Sequence, residues 1–261
     1  MTASSSCARH RRGFSLIEMA IAVFVIALLL GSILVPLQTQ IETRRLEETR
    51  RLLDQARDAL LGYVAAYGYF PCPASAASNG QEAVTSHASG ACAAAVTGTN
   101  AYVGFLPAVT IGFTPVDGSG YAVDAWTLVQ NRIRYAVANA TVNGITNPFT
   151  RINGMRSAGM SNIAASTQLL YVCGTGSGVT GTGCAAAADQ LSDDAIAVIW
   201  SLGPNAPTGG GSPHEDKNLD NDRVFVMRAQ SNVAGAVFDD VVTWIAPPIL
   251  FNRLVAAGQL P

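Results

Sequence analysis

The chain has 261 residues, 49% hydrophobic and only 13% charged, with 16 basic against 18 acidic side chains and three histidines. That length supplies one sizeable core and an additional apolar segment, and the near-neutral balance argues against a generally basic, nucleic-acid-binding surface. With so few histidines and no serine in a GxSxG frame, familiar hydrolytic machinery has no place to sit.

The chain opens on a basic stub carrying Arg9, Arg11 and Arg12, followed by Gly13 and the apolar run FSLIEMAIAVFVIALLLGSILVPL, Phe14 to Leu37. At about 1.5 Å per helical residue this run covers roughly 36 Å, against about 30 Å for a bilayer hydrocarbon core, and is expected to span a membrane. The basic stub then stays on the cytoplasmic side and everything after Leu37 lies outside. Glu18 is the single charged residue of the run. A carboxylate at that depth costs on the order of a few kcal/mol, which implies a partner. A cleaved secretory signal or a twin-arginine signal would end in a small-residue cut site, and none follows the run. A plain signal anchor gives Glu18 no role.

Beyond Leu37 the segment QTQIETRRLEETRRLLDQARDALLGYVAAYGYF is polar and charged. Thr49, Leu52, Leu53, Ala56, Leu60, Val64 and Tyr67 recur at the spacing of one helical face, and Glu47/Arg51 and Arg50/Asp54 have the spacing of i,i+4 ion pairs. The expectation is one long helix in which Pro36 bends or loosens the backbone, stopped at Phe70-Pro71-Cys72-Pro73. Residues 74–101, rich in Ala, Ser and Gly, read as a loop. Strands are expected at Ile133–Ala138, Gln168–Cys173, Ala195–Leu202, Arg223–Arg228 and Phe238–Ile245, and a short helix after Pro247-Pro248. No helical pattern separates these runs, so the fold class is α+β, a long helix with an antiparallel sheet. Of the five cysteines, Cys7 lies in the stub. Cys72, Cys92, Cys173 and Cys184 are an even set on the outer side, open to three pairings. The sequence-local pairing, Cys72 with Cys92 and Cys173 with Cys184, would staple two small-residue loops in an oxidising compartment.

The stretch Gly13-Phe14-Ser15-Leu16-Ile17-Glu18 resembles the processing motif of type IV prepilins and type II secretion pseudopilins. The resemblance implies cleavage after Gly13 by a membrane-embedded prepilin peptidase and methylation of the new Phe14 amine. It also implies that Glu18 meets the Phe14 amine of a neighbouring subunit, a cation that makes the buried acid tolerable and fixes register. Four regions follow: a cleaved leader, 1–13; a transmembrane and assembly helix, 14–37; an amphipathic extension, 38–70; and a periplasmic or extracellular pilin-like head, 71–261. The implied partners are other pilin or pseudopilin subunits, the peptidase and an inner-membrane assembly platform, with nucleic acid disfavoured. Asp124-Ala125-Trp126 ahead of a strand extends the resemblance loosely into the head. The function expected is a structural subunit of a pilus or pseudopilus. The alternative is a low-abundance minor pilin whose enlarged head is a binding module for a surface, a secreted substrate or DNA.

Three further patterns need weighing. Gly176-Ser177-Gly178-Val179-Thr180-Gly181 matches GxGxxG, but it lies between Cys173 and Cys184 in an antiparallel setting and reads as a disulfide-bracketed loop. Glu215-Asp216-Lys217-Asn218-Leu219-Asp220-Asn221-Asp222 alternates oxygen donors at Asp216, Asn218, Asp220 and Asp222, like the first half of a calcium loop. Met227 stands where the closing glutamate would be, so Ca²⁺ would need other oxygens, and an acidic solvated loop is the competing reading. No other cofactor is expected. His214 reads as a surface loop residue, and Trp126, Trp200 and Trp244 as core.

Overall fold

The computed structural model describes residues 15–93, 97–98, 101–126, 131–208 and 211–260, with backbone alone at 30–39, 97–98 and 208. The basic stub, Gly13, Phe14 and Cys7 lie outside the described residues. The chain divides into two compact units, Met1–Arg44 and Arg45–Pro261.

Helix α1 runs from Leu16 to Tyr67, 52 residues, with Pro36 inside it. Apart from Gly31, Pro36 and Gly62, its residues favour or tolerate helix. It ends at Gly68, where φ is 79° and the N–H donates to Val64 O at 2.7 Å. A left-handed glycine at this position closes the last turn without a Cβ clash. The last-turn carbonyls of Ala65 and Ala66 also accept from Gln259 Nε2, so the C-terminal tail helps to satisfy this helix end. On the exposed face Asp54 pairs with Arg57 at 3.5 Å, one turn later, and not with Arg50 as the spacing suggested.

In the second unit the strands are β1 (Val84–Ser86), β2 (Ala91–Cys92), β3 (Thr97–Gly98), β4 (Ala101–Phe105), β5 (Arg134–Ala138), β6 (Thr141–Val142), β7 (Ile145–Thr146), β8 (Leu170–Cys173), β9 (Gln190–Ala195), β10 (Ala197–Ser201), β11 (Val224–Val226) and β12 (Val241–Ile245). Short helices α2 (Ala108–Ile111), α3 (Gly154–Ala158), α4 (Met160–Ala164) and α5 (Pro213–Asp216) lie between them, and α6 (Pro247–Ala256) follows. The main sheet has five strands in the order β12-β10-β5-β4-β3, every neighbouring pair antiparallel. A second sheet, β11-β8-β9, joins β8 antiparallel to β9 and parallel to β11. This is the α+β class, a long helix with largely antiparallel sheets, as in a pilin-like fold.

The strand expected across Ala195–Leu202 forms at Ala197–Ser201, and the start of that span is a corner. β9 belongs to the second sheet and β10 to the first, and Ile196 between them donates to Ile245 O and accepts from Ala138 N. The loop expected at 74–101 contains the β1–β2 hairpin and bridges Ala74 to Phe105. Leu52, Leu53, Ala56, Leu60, Leu61 and Val64 of α1 are buried in one apolar cluster with Tyr135, Val137, Val198, Ile199 and Trp200 of the sheet. Their spacing is the face that the sequence marked from Thr49 to Val64, with Leu61 added, whereas Tyr67, expected on that face, is exposed. At about 25 cal/mol per Å² of apolar surface, this cluster is the dominant stabilising term of the head.

Candidate functional site

Glu18 lies in the first turn of α1 and is exposed, as are its neighbours. Leu16 is 92% exposed, and Ile17, Met19, Ile21, Val23, Phe24, Ile26, Leu28 and Leu29 are each more than half exposed. An apolar surface of this extent on a single chain marks a contact with lipid or with other protein. Among the described residues no ion pair engages the Glu18 carboxylate, which leaves it open to an incoming cation. Among the described residues no helix is long and apolar enough to cross a membrane. The run that suggested a span begins at Phe14 and extends to Leu37, beyond the side chains described in this segment.

The four outer cysteines form two disulfides, Cys72–Cys92 and Cys173–Cys184, with Cα atoms 5.5 and 5.6 Å apart. The first holds the β1–β2 hairpin against the residues that end α1. The second brackets the glycine-rich loop, whose Gly176 N–H donates to His214 Nδ1 at 2.9 Å. A Cβ at Gly176 would lie 2.4 Å from Pro213 O, so close approach explains that glycine, not phosphate binding. His214 is buried, 7% exposed, at the start of α5, not on the surface as the sequence suggested. Burial and the nearby Arg228 hold its imidazole below the usual histidine range.

The acidic loop is arranged differently from a calcium loop. Lys217, the only lysine of the chain, places its ammonium on Asp220 and, at 3.2 Å, on Asp222. Asn218 is turned inward. Its Oδ1 accepts from Val226 N at 2.8 Å and its Nδ2 donates to Val226 O and to Asp240. Asp216, Asn218, Asp220 and Asp222 therefore do not present a shared set of free oxygens, and as they stand they do not fit a divalent cation.

Among the described residues the carboxylates that do converge are Glu215, Asp239 and Asp240, with oxygens within 4.8 Å of one another. Glu215, 1% exposed, is satisfied by neutral donors: Asp239 N at 2.9 Å on Oε1, and Asn205 Nδ2 and Gly211 N on Oε2. Asp124, equally buried, accepts from Trp126 N, Asn131 Nδ2 and Ser201 Oγ. Gly203 stands between these two groups, and a Cβ there would lie 2.2 Å from Asp239 Oδ1. Burial, with Glu215 and Asp124 adding negative charge, pushes Asp239 up to about 7. Burial likewise raises Asp240 well above the carboxylate range, offset in part by Asn218 and Arg134. This network ties β10, α5 and the start of β12 to the residues before β5. It reaches α1 through Ala125 N, which donates to Thr49 Oγ1 at 3.2 Å. Its members are spread over more than a hundred residues, and nothing in their local sequence marks them as buried.

The helix α1 has an exposed apolar beginning, and the second unit is an α+β head. The prokaryotic N-terminal methylation motif matches residues 8–34, so the chain carries the prepilin-type cleavage and methylation signal of type IV pilins and pseudopilins. The match includes Gly13, Phe14 and Glu18 and ends before the head. Neither the curated proteins nor the solved structures contain a match to the chain.

Proposed function

We propose that this protein is a structural subunit of a type IV pilus or type II secretion pseudopilus, rather than an enzyme. In this reading prepilin peptidase removes residues 1–13 and methylates Phe14. The subunit waits in the inner membrane with its head in the periplasm, and an assembly platform then packs it through the helix Phe14–Tyr67. The observation that carries the reading is Glu18, exposed in the first turn of α1 among uncovered apolar side chains, inside the matched motif. Packing against neighbouring copies buries the apolar surface. The Phe14 amine created by cleavage supplies the cation that makes burial of Glu18 tolerable. A subunit out of register would bury the acid without that partner.

Mass spectrometry of the mature protein tests the processing step, with the expected N-terminus a monomethylated Phe14. An intact leader, or a cut elsewhere, overturns it. Glu18→Ala is expected to be cut normally but to be lost from sheared filaments, and normal incorporation of that variant would sink the register mechanism. The extent of the head, residues 71–261, favours a second reading, a minor pilin whose head is a binding module. Abundance separates the two: a major subunit dominates sheared filaments and a minor one is scarce in them.

A further inference from the structure

The head carries an open polar cleft of about 290 Å³, lined mostly by exposed side chains, that the filament reading does not use. It lies where the β6–β7 hairpin, α4 and the segment entering β8 meet. Its polar lining is Thr141, Asn143, Asn162, Ser166, Thr167 and Gln168, its apolar lining Val142 and Ala165, and it contains no charged side chain.

Three amides in this cleft, all exposed, each make one hydrogen bond with the backbone. Asn143 Nδ2 and Asn162 Nδ2 both donate to the same acceptor, Ala158 O, at 3.4 and 2.8 Å. Gln168 Oε1 accepts from Thr141 N at 3.0 Å. Anchoring one half of each amide determines which half is left over. Among the described residues, Asn143 Oδ1, Asn162 Oδ1 and Gln168 Nε2 have no protein partner. The cleft thus offers two oriented acceptors and one oriented two-proton donor, with the hydroxyls of Thr141, Ser166 and Thr167 able to act as either.

That combination selects the chemistry of a ligand. A phosphate or carboxylate needs several donors or a cation, and meets two carbonyl oxygens instead. A metal ion needs oxygens alone, and meets the Gln168 amide nitrogen. An apolar ligand would leave the amides unpaired, at a cost in binding. A ligand whose own groups are both donors and acceptors, and which has no charge, satisfies all of them. The volume lies at the lower end of ligand pockets, roughly 300–1,000 Å³, which suits one compact ring with its substituents better than a length of peptide. We propose that this cleft is a binding site for a neutral carbohydrate, recognised through hydroxyl groups by Asn143, Asn162 and Gln168. The proposal does not depend on how the protein assembles.

The test uses the full chain in a detergent without a sugar head group, such as lauryldimethylamine oxide. Saturation-transfer NMR is run with three probes, maltotriose, cellotriose and chitotriose. Signal transferred to at least one of them is expected. Asn143→Gly keeps the left-handed turn at that position, where φ is 51°, while removing the amide. It and Asn162→Ala are each expected to weaken binding by about three- to tenfold, the worth of one hydrogen bond. Gln168→Glu retains the bond from Thr141 N but replaces the donor with a charged acceptor, and is expected to abolish the signal. An unchanged melting temperature in each variant shows that the head is still folded. No transfer to any of the three sugars overturns the proposal. So does transfer that survives in the Asn143→Gly/Asn162→Ala double variant. Binding of an uncharged Gly-Ser peptide through Asn162 with none of the sugars would assign the cleft to protein instead.

Discussion

Helix α1 meets two different environments along its length, and the same kinds of side chain behave oppositely in them. Between Leu16 and Leu29 its leucines, isoleucines and valines are exposed, whereas Leu52, Leu53, Leu60, Leu61 and Val64 are buried in the core of the head. The second stretch contributes to folding of its own chain. The first is exposed among the described residues, which points to lipid or another copy as the reason for its apolarity. A helix can therefore be stable along its whole length while only part of it is energetically closed.

Truncations on the two stretches give the largest expected effect and the sharpest way to break this comparison. Leu60→Ala is expected to lower the unfolding free energy of the head by about 2–5 kcal/mol. All three tryptophans, Trp126, Trp200 and Trp244, lie in the head and report its unfolding in the full chain. Ile21→Ala is expected to leave that transition within about 0.5 kcal/mol of the parent while reducing filament yield. Equal destabilisation by both would mean that the two stretches are not energetically distinct.

The disulfides come next, because both belong to the head and neither constrains the exposed apolar stretch. Replacing Cys72 and Cys92 by alanine opens a loop of separation 20 and is expected to cost about 3 kcal/mol. Opening the Cys173–Cys184 loop, of separation 11, should cost about half a kcal/mol less. Chemical denaturation of each pair variant measures the difference. A loss of filament assembly with no loss of head stability would contradict the division of labour.

Both stretches of α1 were legible in the sequence, and for the same physical reason. Local pattern is enough to find an apolar run with one acid in it, or a face repeating at Leu53, Ala56, Leu60 and Val64, because helix periodicity is a short-range property. The strands at 134–138, 170–173 and 241–245 were legible on the same grounds. Strand β9, Gln-Leu-Ser-Asp-Asp-Ala, was not, since its residues resemble a loop and only pairing with β8 makes it a strand. The parallel pairing of β8 with β11 has no local signature at all. The acids show the sharpest limit. Asp124, Glu215 and Asp240 look like surface residues in sequence, and only partners such as Ser201 Oγ, 77 positions from Asp124, make their burial tolerable. In the cleft, Asn143 and Asn162 read as turn and helix residues, and their convergence on Ala158 O is visible only in three dimensions.

The buried acids make the head sensitive to pH. A carboxyl raised to about 7 holds its proton more tightly in the folded state than in the unfolded chain, where it titrates near 3.9. The unfolding free energy therefore falls as pH rises from about 4 to about 7 and levels off above that. Asp240 is shifted in the same direction. Asp117, held below its ordinary value by Tyr121, Arg132 and Ser119, opposes it in stronger acid, and His214, held below the usual histidine range by burial, opposes it just below pH 6.5, one group against two. The full chain should thus melt higher at pH 5 than at pH 8. Asp239→Asn should raise stability at pH 8 and flatten part of the slope. Because Asp239 keeps some contact with water, the expected gain is about 1 kcal/mol, a few degrees in Tm. An unchanged slope in Asp239→Asn would show that the proton sits elsewhere in the network.

The smallest effect concerns the acidic loop, where the question is which cation neutralises its aspartates. In the structure that cation is Lys217, partly exposed and shared by Asp220 and Asp222. Exposed pairs of this kind are worth about 0–1 kcal/mol, so Lys217→Gln should lower Tm only slightly. The response to calcium is more telling. With the ammonium in place, millimolar Ca²⁺ should leave the melting temperature of the parent unchanged, and a chelator should do the same. With glutamine there, Asp220 and Asp222 lose their counter-charge, and added Ca²⁺ should recover the lost stability. A rise in the parent itself, reversed by chelation, would mean that calcium displaces Lys217 and that the alternating donors at Asp216, Asn218, Asp220 and Asp222 rearrange to receive it.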